Sequence, residues 1–177
     1  PNAFLEYVQF LTPKIGYVSG HAGVYRSDDG GISWRDITPL DPNYEKGWGS
    51  YWINQNEGVY FVGGCASGIQ AFYRTTNAGQ NWTVSFGTEP MSGLSDGLIF
   101  RNGSGYAVSS GVLWQTTDFG RTWRIFSRTG SKVWSEELAI FGNAMLIPTA
   151  GNNCDGNTNG VGSMRYSGDG GRTWAEY

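Results

Sequence analysis

Four copies of one eight-residue motif, four short apolar segments around each copy, and a composition rich in glycine and aromatics but poor in charge predict an all-β fold. The architecture they point to is a β-propeller of four-stranded antiparallel blades, four of them in this chain. Of 177 residues, 28 are Gly, 15% are aromatic and only 15% are charged, which suits many short strands joined by tight turns. No window of a dozen residues sustains a 3.6-residue apolar period, and no apolar run approaches the roughly 20 residues that cross a bilayer as a helix. One domain spanning 1–177 is expected.

The motif reads Ser/Thr-x-Asp/Asn-x-Gly-x-x-Trp. It occurs at Ser27, Asp29, Gly31 and Trp34, at Thr75, Asn77, Gly79 and Trp82, at Thr116, Asp118, Gly120 and Trp123, and at Ser167, Asp169, Gly171 and Trp174. The copies start 48, 41 and 51 residues apart, and the chain's own residue frequencies predict far fewer than one match by chance. The spacing has a chemical reason. A short Asp or Asn side chain accepts hydrogen bonds from N–H groups of its own turn, Gly supplies a left-handed dihedral, and the Ser or Thr hydroxyl adds a second local bond. The Trp then opens the returning strand and lays its ring over the hairpin.

The elements follow in order. Blade one (about 4–38) offers strands at 6–10, 15–19, 23–26 and 34–37. Blade two (50–87) offers 51–55, 59–63, 71–74 and 82–86. Blade three (95–127) offers 97–100, 105–109, 112–115 and 123–126, and blade four (133–177) offers 137–141, 144–148, 163–166 and 174–177. A four-stranded meander recurring every 40–50 residues is the propeller period. Four blades form either a closed ring of four or part of a larger ring. An open arc would expose apolar blade faces at both ends, to be covered by more blades, by a second copy or by head-to-tail assembly.

The net charge of −3 and the scattered 12 Lys and Arg give no electrostatic footprint for nucleic acid or an anionic membrane. The chain begins at Pro1 without an apolar targeting stretch, which fits a processed mature protein or a piece of a longer chain. With one His and two Cys, no metal centre is expected. Asn81 and Asn102 head N-glycosylation sequons.

The octets resemble the Asp boxes, or bacterial neuraminidase repeats, of sialidase-like propellers. Similar families include sialidases, xyloglucan-cleaving glycosidases, sortilin-type receptors and photosystem II assembly factors. Gly16-Tyr17-Val18-Ser19-Gly20 ahead of Val24-Tyr25-Arg26-Ser27 most resembles the assembly-factor group and secreted bacterial proteins like it. The resemblance implies a box between the third and fourth strands, on the rim away from the ligand face, where it is a folding element. The box residues are therefore expected to be structural rather than catalytic. A sialidase would carry an Arg-Ile-Pro motif near its N-terminus, which is absent here. Arg26, Arg74, Arg121, Arg165 and Arg172 lie beside boxes. A glycosidase needs two carboxylates facing across a cleft, whereas Glu136 and Glu137 would point to opposite faces of one strand.

With the boxes on one rim, the loops between second and third strands and the links between blades fall on the opposite face. That face is assigned His21, the 65–70 and 151–162 loops, and the non-box aromatics Tyr44, Trp48, Tyr51, Trp52 and Trp134, whose rings suit sugars or a protein partner. Singly, each aromatic reads first as a plug between blades and His21 as a turn residue. No cofactor is expected. Asn152, Asn153, Asp155, Asn157 and Asn159 offer calcium oxygen donors, but in no EF-hand order, and a plain loop is the preferred reading. Cys65 and Cys154 fall on the same face and would form a disulfide in an oxidising compartment; a buried Cys65 with an unpaired Cys154 is the alternative. The leading expectation is a non-catalytic extracellular or periplasmic module that binds protein or glycan. The alternative is a glycoside hydrolase whose active site lies partly outside this chain.

Overall fold

The computed structural model describes residues 4–40, 47–63, 70–85, 98–101, 104–109, 111–130, 138–149 and 162–177. It is all-β, with four antiparallel four-stranded sheets, each in sequential strand order. Blade one comprises β1 (Tyr7–Phe10), β2 (Gly16–Gly20), β3 (Gly23–Ser27) and β4 (Arg35–Asp36). Blade two comprises β5 (Gly47–Trp52), β6 (Gly58–Gly63), β7 (Gln70–Thr75) and β8 (Thr83–Ser85). Blade three comprises β9 (Leu98–Arg101), β10 (Ser104–Ser109), β11 (Val112–Thr116) and β12 (Arg124–Arg128). Blade four comprises β13 (Ala139–Phe141), β14 (Ala144–Thr149), β15 (Ser163–Ser167) and β16 (Ala175–Glu176). Among the described residues no helix is long and apolar enough to cross a membrane.

Fifteen of the sixteen strands lie within two residues of their expected bounds at each end. The exception is β5, expected at 51–55 and found at Gly47–Trp52. Its glycines hid the strand's start, which carries a register shift between Gly47 and Gly49. Its end is set by chemistry: the Asn54 side chain accepts N–H bonds from Asn56 and Glu57, both at 2.9 Å, and such an Asx turn ends the ladder. This slip moves Tyr51 and Trp52 from the expected start of the strand, beside the link, to its opposite end.

Each box closes its own hairpin. In the first, the Ser27 hydroxyl donates to Asp29 Oδ1 at 2.8 Å and accepts from the Gly31 N–H at 2.8 Å. Asp29 also accepts from the Ser33 N–H at 3.0 Å and the Ser33 hydroxyl at 2.6 Å. The same four bonds recur around Asp118 and Asp169. The Asn77 copy keeps three, because Asn81 replaces the fourth-position hydroxyl.

The core lies between blades, one apolar cluster per seam. Blades one and two enclose Tyr17, Val24, Ile37, Trp52, Tyr60, Val62, Ala71 and Tyr73. Blades two and three enclose Val59, Phe61, Phe72, Phe100, Ala107, Trp114 and Trp123, and blades three and four enclose Val108, Leu113, Leu138, Met145 and Ile147. Strand β6 shows why an inner blade reads as an unbroken apolar run: Val59 and Phe61 face blade three while Tyr60 and Val62 face blade one.

The box tryptophans join the seams. Each of the last three turns into the blade before it. Trp82 Nε1 donates to Ile37 O at 2.7 Å, Trp123 stacks on Phe72 at 4.0 Å and 14°, and Trp174 Nε1 donates to Ser127 Oγ at 3.1 Å. Polar bonds cross the first seam too: the Gln9 side-chain amide clamps the Trp52 backbone, donating to its O and accepting from its N–H, both at 2.8 Å.

Candidate functional site

The box rim carries most of the described carboxylates, and local bonds engage them. Hydrogen bonds from the Ser33 hydroxyl and N–H, then from Ser27, hold the Asp29 carboxyl down to about 2. Those from the Thr173 N–H and hydroxyl and from Ser167 hold Asp169 lower still. For Asp118, burial pushes upward, but bonds from Thr122, Thr116 and Arg121 outweigh it and the net shift is downward. Such groups are fixed anions with no proton to give near neutrality. Among the other carboxylates, Asp28 pairs with Arg26 at 2.6 Å, Glu176 with Arg165 at 2.6 Å and Glu57 with Arg74 at 3.8 Å. Asp36 accepts from the N–H and hydroxyl of Thr38.

The opposite face is described in part. His21 sits in the β2–β3 turn, its Nδ1 3.4 Å from Glu6 Oε1 and its ring edge-on to Phe4. Beside it the Tyr60 hydroxyl donates to Gly20 O at 3.2 Å, and Ser50 donates through its N–H to Ser19 Oγ at 2.8 Å. Tyr44, Trp134, Asn152, Asn153, Asp155, Asn157, Asn159, Cys65, Cys154 and Asn102 lie outside the described residues, and of Trp48 only the backbone, in β5, is described. Asn81 is exposed in the second box.

Two of the aromatics assigned to the loop face stand elsewhere. Trp52 is 1% exposed, stacked on Tyr17 at 3.6 Å and 10°, and plugs the first seam, the reading preferred for each of these rings taken singly. Tyr51 is half-buried, packed on Phe100 at 5.2 Å with its hydroxyl donating to Phe100 O at 3.2 Å. Both stand at the box end of β5, because the strand begins four residues earlier than expected and the Asx turn stops it there.

A cleft that the sequence reading did not anticipate opens on the box rim between blades three and four. About 520 Å³ in volume, it is lined by Tyr106, Gln115, Phe126, Asn143, Met145 and Arg172 among others. Its cause is a single series. The residue before each box is Arg26, Arg74, Gln115 and Tyr166. Arg26 Nη1 reaches across its seam to Gln55 O at 2.7 Å, and Arg74 Nε reaches Phe119 O at 2.9 Å. Gln115 is shorter and turns back to the Tyr106 hydroxyl at 2.9 Å, leaving that space open. Comparing this position across the repeats is the signal that would have found it. A smaller cleft of about 250 Å³ lies between blades one and two, lined by Tyr7, Gln9, Ser19, Ser50 and Tyr51.

Sequential four-stranded meanders, seam cores and self-capped box turns together define the chain as an Asp-box β-propeller. The comparisons agree: residues 25–36 match the BNR/Asp-box repeat model. An oligoxyloglucan-reducing end-specific xyloglucanase of Emericella nidulans is 30% identical over 95 residues, covering 51% of this chain and 11% of the relative. The chain thus spans about a tenth of that protein's length. Among solved structures, YCF48 bound to D1 peptide superposes with a TM-score of 0.69 at 16% identity, over 97% of this chain and 54% of the other. The GH74 xyloglucanase of Xanthomonas campestris superposes at 0.64 with 19% identity, over 92% and 28%. At these identities the superpositions show the fold.

Proposed function

We propose that this chain is a non-catalytic binding module, working outside the cytoplasm, that presents the loop face opposite its boxes to a protein or glycan partner. The observation that carries the proposal is the engagement of the described carboxylates. Asp29, Asp118 and Asp169 are tied into turns and Asp28, Glu57 and Glu176 into ion pairs with arginines. Glycoside cleavage needs two carboxyl groups about 5–9.5 Å apart across a sugar, with one holding a proton, and turn-capping Asp residues of lowered pKa do not suit that role. A peptide-bound neighbour of the same fold supports a protein partner. The test pairs a glycan array and peptide library with a hydrolysis assay on xyloglucan oligosaccharides: saturable binding without turnover is expected.

A second reading, a glycosidase, is favoured by the local match to a xyloglucanase. It predicts release of reducing ends, and any turnover that scales with enzyme concentration would replace the first reading.

A further inference from the structure

The cleft between blades three and four repeats one half of a contact that the first seam completes. In blade one, Tyr17 stands opposite Arg26 across β2 and β3. Arg26 Nη1 donates to the Tyr17 hydroxyl at 2.9 Å, and that hydroxyl donates onward to Gln55 O at 2.8 Å. Gln55 belongs to the turn at 53–57 that joins β5 to β6 in the next blade. A backbone carbonyl of blade two thus stands in front of the blade-one phenol and takes its proton.

Blade three carries the same pair at the same register. Tyr106 stands opposite Gln115, and Gln115, 8% exposed, donates through Nε2 to the Tyr106 hydroxyl at 2.9 Å. Arg124 Nη2, donating to Gln115 Oε1 at 2.9 Å, fixes the amide that way round. Tyr106 therefore keeps a proton to donate, and among the described residues nothing accepts it. The cause is turn length. Where blade two offers five residues at 53–57, blade four joins β13 to β14 through 142 and 143 alone. The turn between β9 and β10 is equally short, but the residue that faces it from blade two is Val59, at the register position of Tyr17, so no hydroxyl goes unmet there. Of the three seams, the third alone combines the phenol with a short turn.

The rest of the cleft suits the same kind of occupant. Phe126, edge-on to Tyr106 at 6.1 Å and 87°, and the buried Met145 add apolar lining. A Cβ added at Gly142 or Gly170 would meet nothing within 4 Å, so a second backbone can pass over both. The volume of about 520 Å³ falls within the range of ligand clefts. We infer that this cleft binds an extended peptide segment of a partner protein. One backbone carbonyl accepts from the Tyr106 hydroxyl, as Gln55 O does from Tyr17, and the neighbouring apolar side chain packs on Phe126 and Met145. The ligand atom has to be an acceptor, and in the first seam a peptide carbonyl already fills that role. The site lies on the box rim, so binding there is a separate event from binding at the loop face.

The test is a nuclear magnetic resonance titration of the full chain with capped tripeptides, N-acetyl-alanyl-leucyl-alanine amide and its methionyl and phenylalanyl counterparts. Shifts are expected at the backbone amides of Gly142, Asn143 and Gly170 and at the Gln115 side-chain amide, with dissociation constants of about 1 mM. Tyr106→Phe keeps the ring, removes the donor and should weaken binding about 10-fold, the worth of one hydrogen bond. Gln115→Arg restores the residue type of blades one and two, puts a guanidinium into the cleft and should abolish binding with the circular dichroism spectrum unchanged. Four results overturn the proposal: no shift at roughly tenfold that concentration; shifts confined to residues 20–23 on the loop face; undiminished affinity in Tyr106→Phe; or xyloglucan oligosaccharides moving the cleft amides where the peptides do not.

Discussion

Trp82 and Trp123 occupy the same box position yet make different bonds, and the difference is measurable. Trp82 Nε1 donates across its seam, whereas Trp123 Nε1 is buried without a hydrogen-bond partner among the described residues. Replacing each with Phe removes a donated bond in the first case and an unsatisfied donor in the second. Trp82→Phe should cost about 1–2 kcal/mol more than Trp123→Phe in denaturant unfolding, the worth of an interior hydrogen bond whose acceptor is left unpaired. The box carboxylates predict the acid behaviour. Asp29 falls from an ordinary 3.8 to about 2 in the fold, and Asp118 and Asp169 shift the same way. A depressed folded pKa means the stabilisation is complete above the unfolded value and disappears as pH falls through the folded one. Melting temperature should therefore be insensitive to these groups above about pH 5 and drop between about pH 4 and pH 2. The gap between wild type and Asp29→Asn should narrow over the same window; a constant gap would remove Asp29 as a source. These residues were legible in the sequence because their chemistry is local: every partner of the box Asp lies within four positions of it.

Strands were nearly as legible, and the failures have physical causes. The unbroken apolar run Val59-Tyr60-Phe61-Val62 marks β6 whatever surrounds it, but Gly47-Trp48-Gly49 carries no such run, so β5 was read four residues late and Tyr51 and Trp52 were assigned to the wrong end. The rim cleft was invisible for another reason: it depends on how far a side chain reaches into a neighbouring blade, which no single repeat reports. Close packing of a turn on the next element also gives a prediction. Gly79 combines φ +79° with a position where a Cβ would lie 2.8 Å from Ile37, whereas Gly142, at φ +61°, has nothing within 4 Å. Gly79→Ala should destabilise by about 2–4 kcal/mol, backbone strain plus overpacking, and Gly142→Ala by about 1–2 kcal/mol, the strain alone. Equal losses would mean that the seam yields to the extra methyl.

Across the whole molecule, stability follows the number of covered faces. Blade two is packed on both sides, with Val59, Phe61, Ala71 and Phe72 among its most buried residues. Blades one and four each show an uncovered side, and their last strands, β4 and β16, span two residues apiece. Native-state hydrogen exchange should rank the amides of β6 and β7 slowest and those around Arg35–Asp36 and Ala175–Glu176 fastest; uniform protection would mean that the blades unfold as one unit. The overall class was readable from the repeat, because the box marks one corner of every sheet. Whether the first and last blades meet was not, since that depends on how the sheets sit against one another.

The backward turn of the box tryptophans has a consequence for biogenesis. A chain made on a ribosome emerges from its N-terminus, so Trp82, Trp123 and Trp174 each appear after the sheet that accepts them is complete. Every new hairpin then docks onto finished structure, a ratchet from first blade to last. Folding of these four blades is thus vectorial: each seam closes as the later of its two sheets is made.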